Sequence, residues 1–310
     1  MAAGVGDAFG FERVRRVATD YAELVRLPNL FTAPPDVLAG AALAVALGAP
    51  ASLPTIAGLC VASACVYAAG TTLNDAADVA EDERERPERP IPSGRIGRGS
   101  ALVFGGALLL AGVGVAAATG GALPGLVAAA LALTVVLYDG LLKGGPAGFL
   151  AMGAARGLNV CLGLAVAGAA AFDAVALLFP IGVVVYVAAF TRMAESETGG
   201  GEGSEVAVAA AGATFAAMVV PVVATVLGTP TLGLAATVLA ACFLAWDWHA
   251  LGPAMADPVP SKVGPAVGTC VLGIVLLDGA VAVVAGPWFA VAAAAFAVPT
   301  HVLSERFDMS

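Results

Sequence analysis

Apolar residues run along this chain in blocks of roughly 17 to 25, the length an α-helix needs to cross a hydrocarbon core of about 30 Å, and most charged residues fall between the blocks. The blocks lie near 28–48, 53–73, 101–119, 122–142, 147–170, 172–193, 206–228, 231–251 and 263–285, with a shorter one near 288–303. In lipid the backbone must satisfy its own hydrogen bonds, so each block predicts a helix and the fold class is all-α, a polytopic transmembrane bundle. Ten helices are favoured and nine remain open, in one domain over 24–303 between a 1–23 N-terminal segment and a 304–310 tail.

The basic residues support this division. Arg13, Arg15, Arg16 and Arg26 precede the first block, Arg84, Arg86, Arg89, Arg95 and Arg98 follow the second, Lys143 follows the fourth, Arg192 closes the sixth and Lys262 precedes the ninth. All fall on one side, while the opposite connections at 49–52, 120–121, 171 and 229–230 carry none. Cytoplasmic loops are enriched in Lys and Arg, so the N-terminus and the charged loops are expected in the cytoplasm, and a bacterial cell membrane is the expected setting. Arg306 joins that side only if 288–303 crosses. The charged stretch before the first block, with no small-residue cleavage site after it, argues for a retained first helix.

Composition narrows the chemistry. Charged residues are 12% of the chain and mean hydropathy is +0.94, against about 25% charged in soluble domains. A net charge of −9 would in a soluble protein argue against nucleic acid as a partner; here it mainly reflects acidic residues gathered in two loops, and membrane lipids rather than nucleic acid are the expected surroundings. The five cysteines lie in apolar blocks without CxxC spacing, and His249 and His301 are the only histidines, so neither disulfides nor a zinc centre is expected.

The informative stretch runs from Asn74 through Asp75, Asp78 and Glu81 to Asp82, where the second block leaves the membrane. If the helix continues, Asn74, Asp78 and Asp82 recur every four residues on one face. Mg²⁺ takes oxygen ligands, commonly one or two carboxylates plus substrate phosphates, so this face implies a phosphate ester. Prolines 87, 90 and 92 then end the helix among Arg84, Arg86, Arg89 and Arg95, whose planar forks suit phosphate oxygens. Carboxylates for a metal beside guanidinium groups are what holding a diphosphate as a leaving group requires.

The NDxxDxxxD pattern of Asn74 to Asp82, followed by Arg86-Pro87-Glu88-Arg89-Pro90-Ile91-Pro92-Ser93-Gly94-Arg95, resembles the first signature of the UbiA superfamily of intramembrane prenyltransferases. Arg26-Leu27-Pro28-Asn29-Leu30-Phe31-Thr32 and Arg156-Gly157-Leu158-Asn159 resemble in particular its EboC-like branch, and the likeness covers roughly 24–285. The resemblance implies nine helices around a central cavity, with a prenyl diphosphate and Mg²⁺ at the cytoplasmic mouth and the prenyl tail inside. It implies metal ligation by Asn74, Asp78 and Asp82, supported by Glu195, and catalytic roles for Asp75, Asp78, Asp82 and Lys143. Asn74, Arg86, Arg89, Tyr138, Asp139, Arg156, Asn159 and Arg192 are the expected substrate-binding residues.

Several positions keep a second reading. Lys143 either neutralises a phosphate oxygen or anchors its loop at the interface, and Tyr138 is either a site residue or an interfacial aromatic. Arg156 stands about ten residues into its block, where an ionisable group is expensive, and shares a face with Asn159. It either lines the cavity or makes an ion pair with Asp139 or Asp278. The family's second signature, DxxxD, is replaced by Thr191-Arg192-Met193-Ala194-Glu195-Ser196-Glu197 and a glycine run carrying Glu202 and Glu205, which suggests a loop able to close over the mouth. Phe31, Tyr67, Phe149, Tyr186, Phe190 and Trp246 are the rings available to steady a carbocation. Transfer of the prenyl group to a lipophilic, aromatic acceptor is the expected reaction. Cyclisation by a membrane terpene cyclase and non-catalytic isoprenoid carriage are the alternatives.

Overall fold

The computed structural model describes residues 3–50, 52–196 and 203–304, and their regular structure is helical throughout. In chain order the helices are α1 (Ala3–Leu24), α2 (Leu27–Leu30), α3 (Pro34–Ala46), α4 (Leu53–Ala77), α5 (Val79–Glu85), α6 (Arg98–Gly120), α7 (Ala122–Leu137) and α8 (Gly145–Leu164). They continue with α9 (Ala174–Ser196), α10 (Gly203–Leu227), α11 (Pro230–Ala256), α12 (Pro260–Ala282), α13 (Pro287–Ala295) and α14 (Ala297–Ser304). Among the described residues nine segments are long and apolar enough to span a membrane, α2 and α3 together forming the first. The favoured tenth span is corrected: the segment from Pro287 to Leu303 is divided at Phe296 into two short helices, which pack on α12, α3 and α2. Arg306 lies outside the described residues.

Successive long helices pack on one another, and α12 returns to α3, so the chain closes into one bundle. Two halves differ in density. From α8 to α12 the interior is a continuous apolar core that includes Phe179, Val183, Phe243 and Ile274. Between α4, α7, α8 and the first span it opens into a cavity.

The first span is broken because Pro34 and Pro35 lack the N–H groups that would continue α2. Exposed carbonyls at membrane depth need donors. Arg156 Nη1 donates to the Thr32 carbonyl and Asn159 Nδ2 to that of Ala33, both at 2.8 Å, so α8 holds the break closed. Glycines allow α3 and α8 to approach this closely: a Cβ at Gly40 would lie 1.9 Å from the Val160 carbonyl oxygen, and one at Gly163 2.0 Å from that of Val37. Small residues at such contacts are what membrane helix packing uses. Gly163→Ala is therefore expected to lower stability by at least about 1–3 kcal/mol, read as an earlier unfolding midpoint in detergent.

Candidate functional site at the mouth of the cavity

Helix α4 does not run on through the acidic motif. It ends at Ala77, Asp78 caps it with its backbone N–H on the Asn74 carbonyl, and α5 begins at Val79. This break divides the expected single face. Asn74 and Asp78 turn toward the end of α7, where Asn74 Nδ2 donates to Asp139 Oδ1 at 3.0 Å and Lys143 pairs with Asp78. Asp75 and Asp82 are buried on the other side, where Arg89 Nη1 lies 3.0 Å from both oxygens of Asp82 and 3.5 Å from Asp75 Oδ1. Asp82 is thus corrected from a member of a converging trio to a partner of Arg89, and no group of three or more metal-ligating His, Cys, Asp or Glu occurs among the described residues.

The proline-rich loop is ordered by its own bonds. Ser93 donates its backbone N–H and its hydroxyl to the Arg89 carbonyl, at 3.0 and 2.7 Å, and Ile96 N–H reaches the Pro90 carbonyl. Ile91 and Ile96 pack with Leu24, Ala76 and Ala101. That packing turns Arg89 inward and leaves Arg86 exposed, away from the cavity lining. Arg95 ties the loop to α1 through Glu23 at 2.7 and 2.8 Å and Asp20 at 2.7 Å. Pairing with Glu23, the largest influence, raises the basicity of this guanidinium. Arg98 Nε caps the end of α4 at the Ala76 carbonyl.

A residue outside the expected set joins the mouth. Arg26 donates from Nη2 to Asp75 Oδ1 at 3.1 Å, and it adopts φ 48°, ψ 58° as the only non-glycine with positive φ among the described residues. Such strain persists where surrounding structure over-determines it, often at functional sites. Its place directly before the first apolar block was the available sign. Across the mouth, α7 finishes in a π-helical turn, Tyr138–Leu142, whose extra residue per turn is typical of working sites. Tyr138 and Asp139 line the cavity from this turn, and Lys143 from the residue after it.

The cavity measures about 320 Å³. Arg26, Asn74, Tyr138, Asp139 and Lys143 line its mouth; Val66, Leu131, Val135 and Met152 form apolar walls; Ser63, Tyr67, Arg156 and Asn159 line its inner end. Arg156 is not paired with Asp139. It donates to Asp36 Oδ2 at 3.1 Å and Thr32 Oγ1 at 2.7 Å and lies over the Tyr67 ring at 5.6 Å, while Asn159 Nδ2 also reaches Asp36 Oδ2 at 2.8 Å. Asp278 faces the same cluster. Asp36 went unnoticed in the sequence, although an acid inside an apolar block is the signal that should have found it.

Other expectations fall away from the cavity. Glu195 is not in the lining, although it lies close enough to act on Tyr138 of the mouth; it accepts the Gly145 N–H at 3.2 and 3.3 Å, a carboxylate at the N-terminus of α8. Arg192 is exposed and does not line the cavity. Glu202 and the glycine run, with Glu197, lie outside the described residues. Of the six rings, Tyr67 alone reaches the lining; Tyr186 is buried elsewhere, its hydroxyl 2.5 Å from Asp247 Oδ2 and 2.9 Å from the Cys270 carbonyl.

The mouth offers oxygen donors of the kind Mg²⁺ takes. Asp139 Oδ2 is buried without a protein partner beside Asn74, and Asp78 stands next to it across Lys143. One or two carboxylates completed by phosphates suffice for this ion, so Asn74, Asp78 and Asp139 fit it without a larger cluster.

Comparison with known proteins agrees with this architecture. The chain is 39% identical over 123 residues to a digeranylgeranylglyceryl phosphate synthase of Ignicoccus hospitalis, a match covering 40% of this chain and 39% of that protein. It spans about two fifths of the length of the curated relatives it matches. Its fold matches the apo structure of a UbiA homolog from Aeropyrum pernix K1 with a TM-score of 0.65 at 16% identity, over 82% of this chain and 96% of that one. A UbiA homolog from Archaeoglobus fulgidus bound to GPP and Mg²⁺ matches with a TM-score of 0.60 at 15% identity, over 84% and 99%. None of these carries the narrower likeness to the EboC-like branch. The family model of the UbiA prenyltransferases matches residues 36–258, which takes in the acidic motif and most of the cavity lining, and the chain belongs to that family.

Proposed function

We propose that this protein is an intramembrane, Mg²⁺-dependent prenyltransferase that binds a prenyl diphosphate with its headgroup among Arg26, Asn74, Asp78, Asp139 and Lys143. The observation carrying this reading is a single cavity with an ionic mouth and apolar walls, which matches an amphiphile with one charged end. Arg26 and Lys143 now pair with Asp75 and Asp78. A diphosphate entering the mouth competes for both cations and frees carboxylate oxygens in the same step. Mg²⁺, held by Asn74, Asp78 and Asp139, would supply Lewis-acid charge to the leaving diphosphate. Arg89 holds Asp75 and Asp82 from behind, so the acidic wall keeps its position. The apolar walls exclude water from the allylic cation that ionisation leaves.

For the acceptor, the expectation of an aromatic ring finds no support among the curated relatives, which are named as digeranylgeranylglyceryl phosphate synthases. A hydroxyl of a glyceryl phosphate lipid is the better reading. The basic residues flanking the mouth orient it to the cytoplasm. The curated relatives come from archaea, so a bacterial setting has no support among them.

The test is purified protein in detergent with Mg²⁺ and geranyl, farnesyl or geranylgeranyl diphosphate, with and without geranylgeranylglyceryl phosphate. Diphosphate release that requires both Mg²⁺ and the acceptor, and stops with EDTA, is expected. Cyclic hydrocarbon without acceptor would replace transfer by terpene cyclisation, and binding without release under every condition would make the protein a carrier.

A further inference from the structure

The inner end of the cavity has polar chemistry that a purely apolar prenyl tail cannot use. Ser63 is 1% exposed and its Oγ has no protein partner; Asn159 is 5% exposed and its Oδ1 has none. Both residues line the cavity. A buried polar group left unmatched costs free energy, so a pair of them in the wall of one cavity marks a place for a complementary ligand atom.

The depth of this end follows from two helices independently. Ser63 stands eleven residues before Asn74 on α4, and Arg156 eleven after Gly145 on α8, so each lies about 16 Å below the mouth at 1.5 Å per residue. Reacting atoms must come within about 3–3.5 Å of each other, so a group bound here is not the one that reacts at the diphosphate carbon.

Its charge is set by the neighbours. Arg156 already has Asp36 as a counter-ion, with Asp278 beside them. An anion would meet two carboxyl groups and a cation would meet the guanidinium, so a neutral group fits. Asn159 Oδ1 only accepts, whereas Ser63 both donates and accepts. A hydroxyl satisfies both.

We propose that Ser63 and Asn159, backed by Arg156 and Tyr67, form a binding site for the neutral hydroxyl of an apolar chain that fills the cavity from its inner end. The ligand class is a lipid alcohol. This site does not depend on the diphosphate reading of the mouth.

The test compares two probes of equal length, dodecanediol with a hydroxyl at each end and dodecanol, in binding titrations with purified protein in detergent. Wild type is expected to favour the diol about tenfold, the scale of one well-placed buried hydrogen bond. Comparing the ratio between variants cancels the unequal partition of the probes into detergent. Ser63→Ala, which removes an atom no protein group uses, is expected to reduce the preference to about threefold or less with an unchanged unfolding midpoint; Asn159→Leu is expected to do the same at temperatures below its own unfolding midpoint, which falls because the Ala33 carbonyl and Asp36 lose a donor. Asp78→Ala should lose geranyl diphosphate while keeping the preference, which separates this site from the mouth. Equal binding of the two probes by wild type overturns the proposal, as does a preference that survives both inner-end variants or vanishes in Asp78→Ala. Dependence on Ser63 in a protein that fails to bind geranyl diphosphate would retain this site and remove the reading of the mouth.

Discussion

Asp78→Ala is expected to lower Mg²⁺-dependent release of diphosphate by about 10²–10³-fold, the cost of removing one preorganised group that stabilises developing charge. Asp78 sits at the end of α4 with its side chain 18% exposed and pairs with Lys143, so neither the fold nor a buried ion depends on it. The unfolding midpoint should therefore stay near that of wild type. Lys143→Met removes the other half of the pair and should weaken substrate binding as well as turnover, because its ammonium is one of the two cations on the cavity side of the mouth. Measuring release at saturating and at limiting geranyl diphosphate separates the two effects. Wild-type rates in Asp78→Ala would remove the mouth from the chemistry.

The neighbouring acids differ in burial and partners. Asp75 is buried and shared by Arg26 and Arg89, and Asp82 is buried against Arg89. Arg89 therefore links α4 and α5 across the break at Asp78. Asp82→Ala leaves that guanidinium largely dry with one carboxylate, and is expected to lower stability before it lowers rate. A fall in unfolding midpoint larger than that of Asp78→Ala would show this.

The spans and the acidic motif were legible because each rests on local pattern. Apolar length and the spacing of Asn74, Asp75, Asp78 and Asp82 are both properties of short windows. The split of that motif was not legible, since the helix break at Asp78 and the inward turn of Arg89 depend on Ile91 and Ile96 packing under α1 and α4. The same holds for Glu195, which the chain brings to the start of α8 from fifty residues away. Length also misled at the C-terminus, where an apolar run long enough to suggest a tenth span divides at Phe296. The partner of Arg156 was hidden for a different reason: Pro34 and Pro35 place the break in the first span, and only the break puts Asp36 within reach of α8.

That last cluster carries the largest expected effect on stability. Asp36 is fully buried and the Arg156 side chain is 12% exposed, and removing one partner of such a pair costs about 3–5 kcal/mol because the other is left uncompensated. Asp36→Leu is expected to fall at the low end of that range, since Asp278 lies close enough to Arg156 to take over part of the pairing. Adding Asp278→Leu removes the substitute and should bring the full loss. Arg156→Leu alone also strips the Thr32 carbonyl of its donor, so it should cost as much as the double change. In the combination of Asp36→Leu with Arg156→Leu no charge remains unpaired between these two positions, and part of the stability should return. Denaturant titrations in detergent on the four variants give the coupling directly. Independent, additive losses would mean that the ion pair does not hold the broken helix against α8, and that the Thr32 and Ala33 carbonyls alone account for the contact.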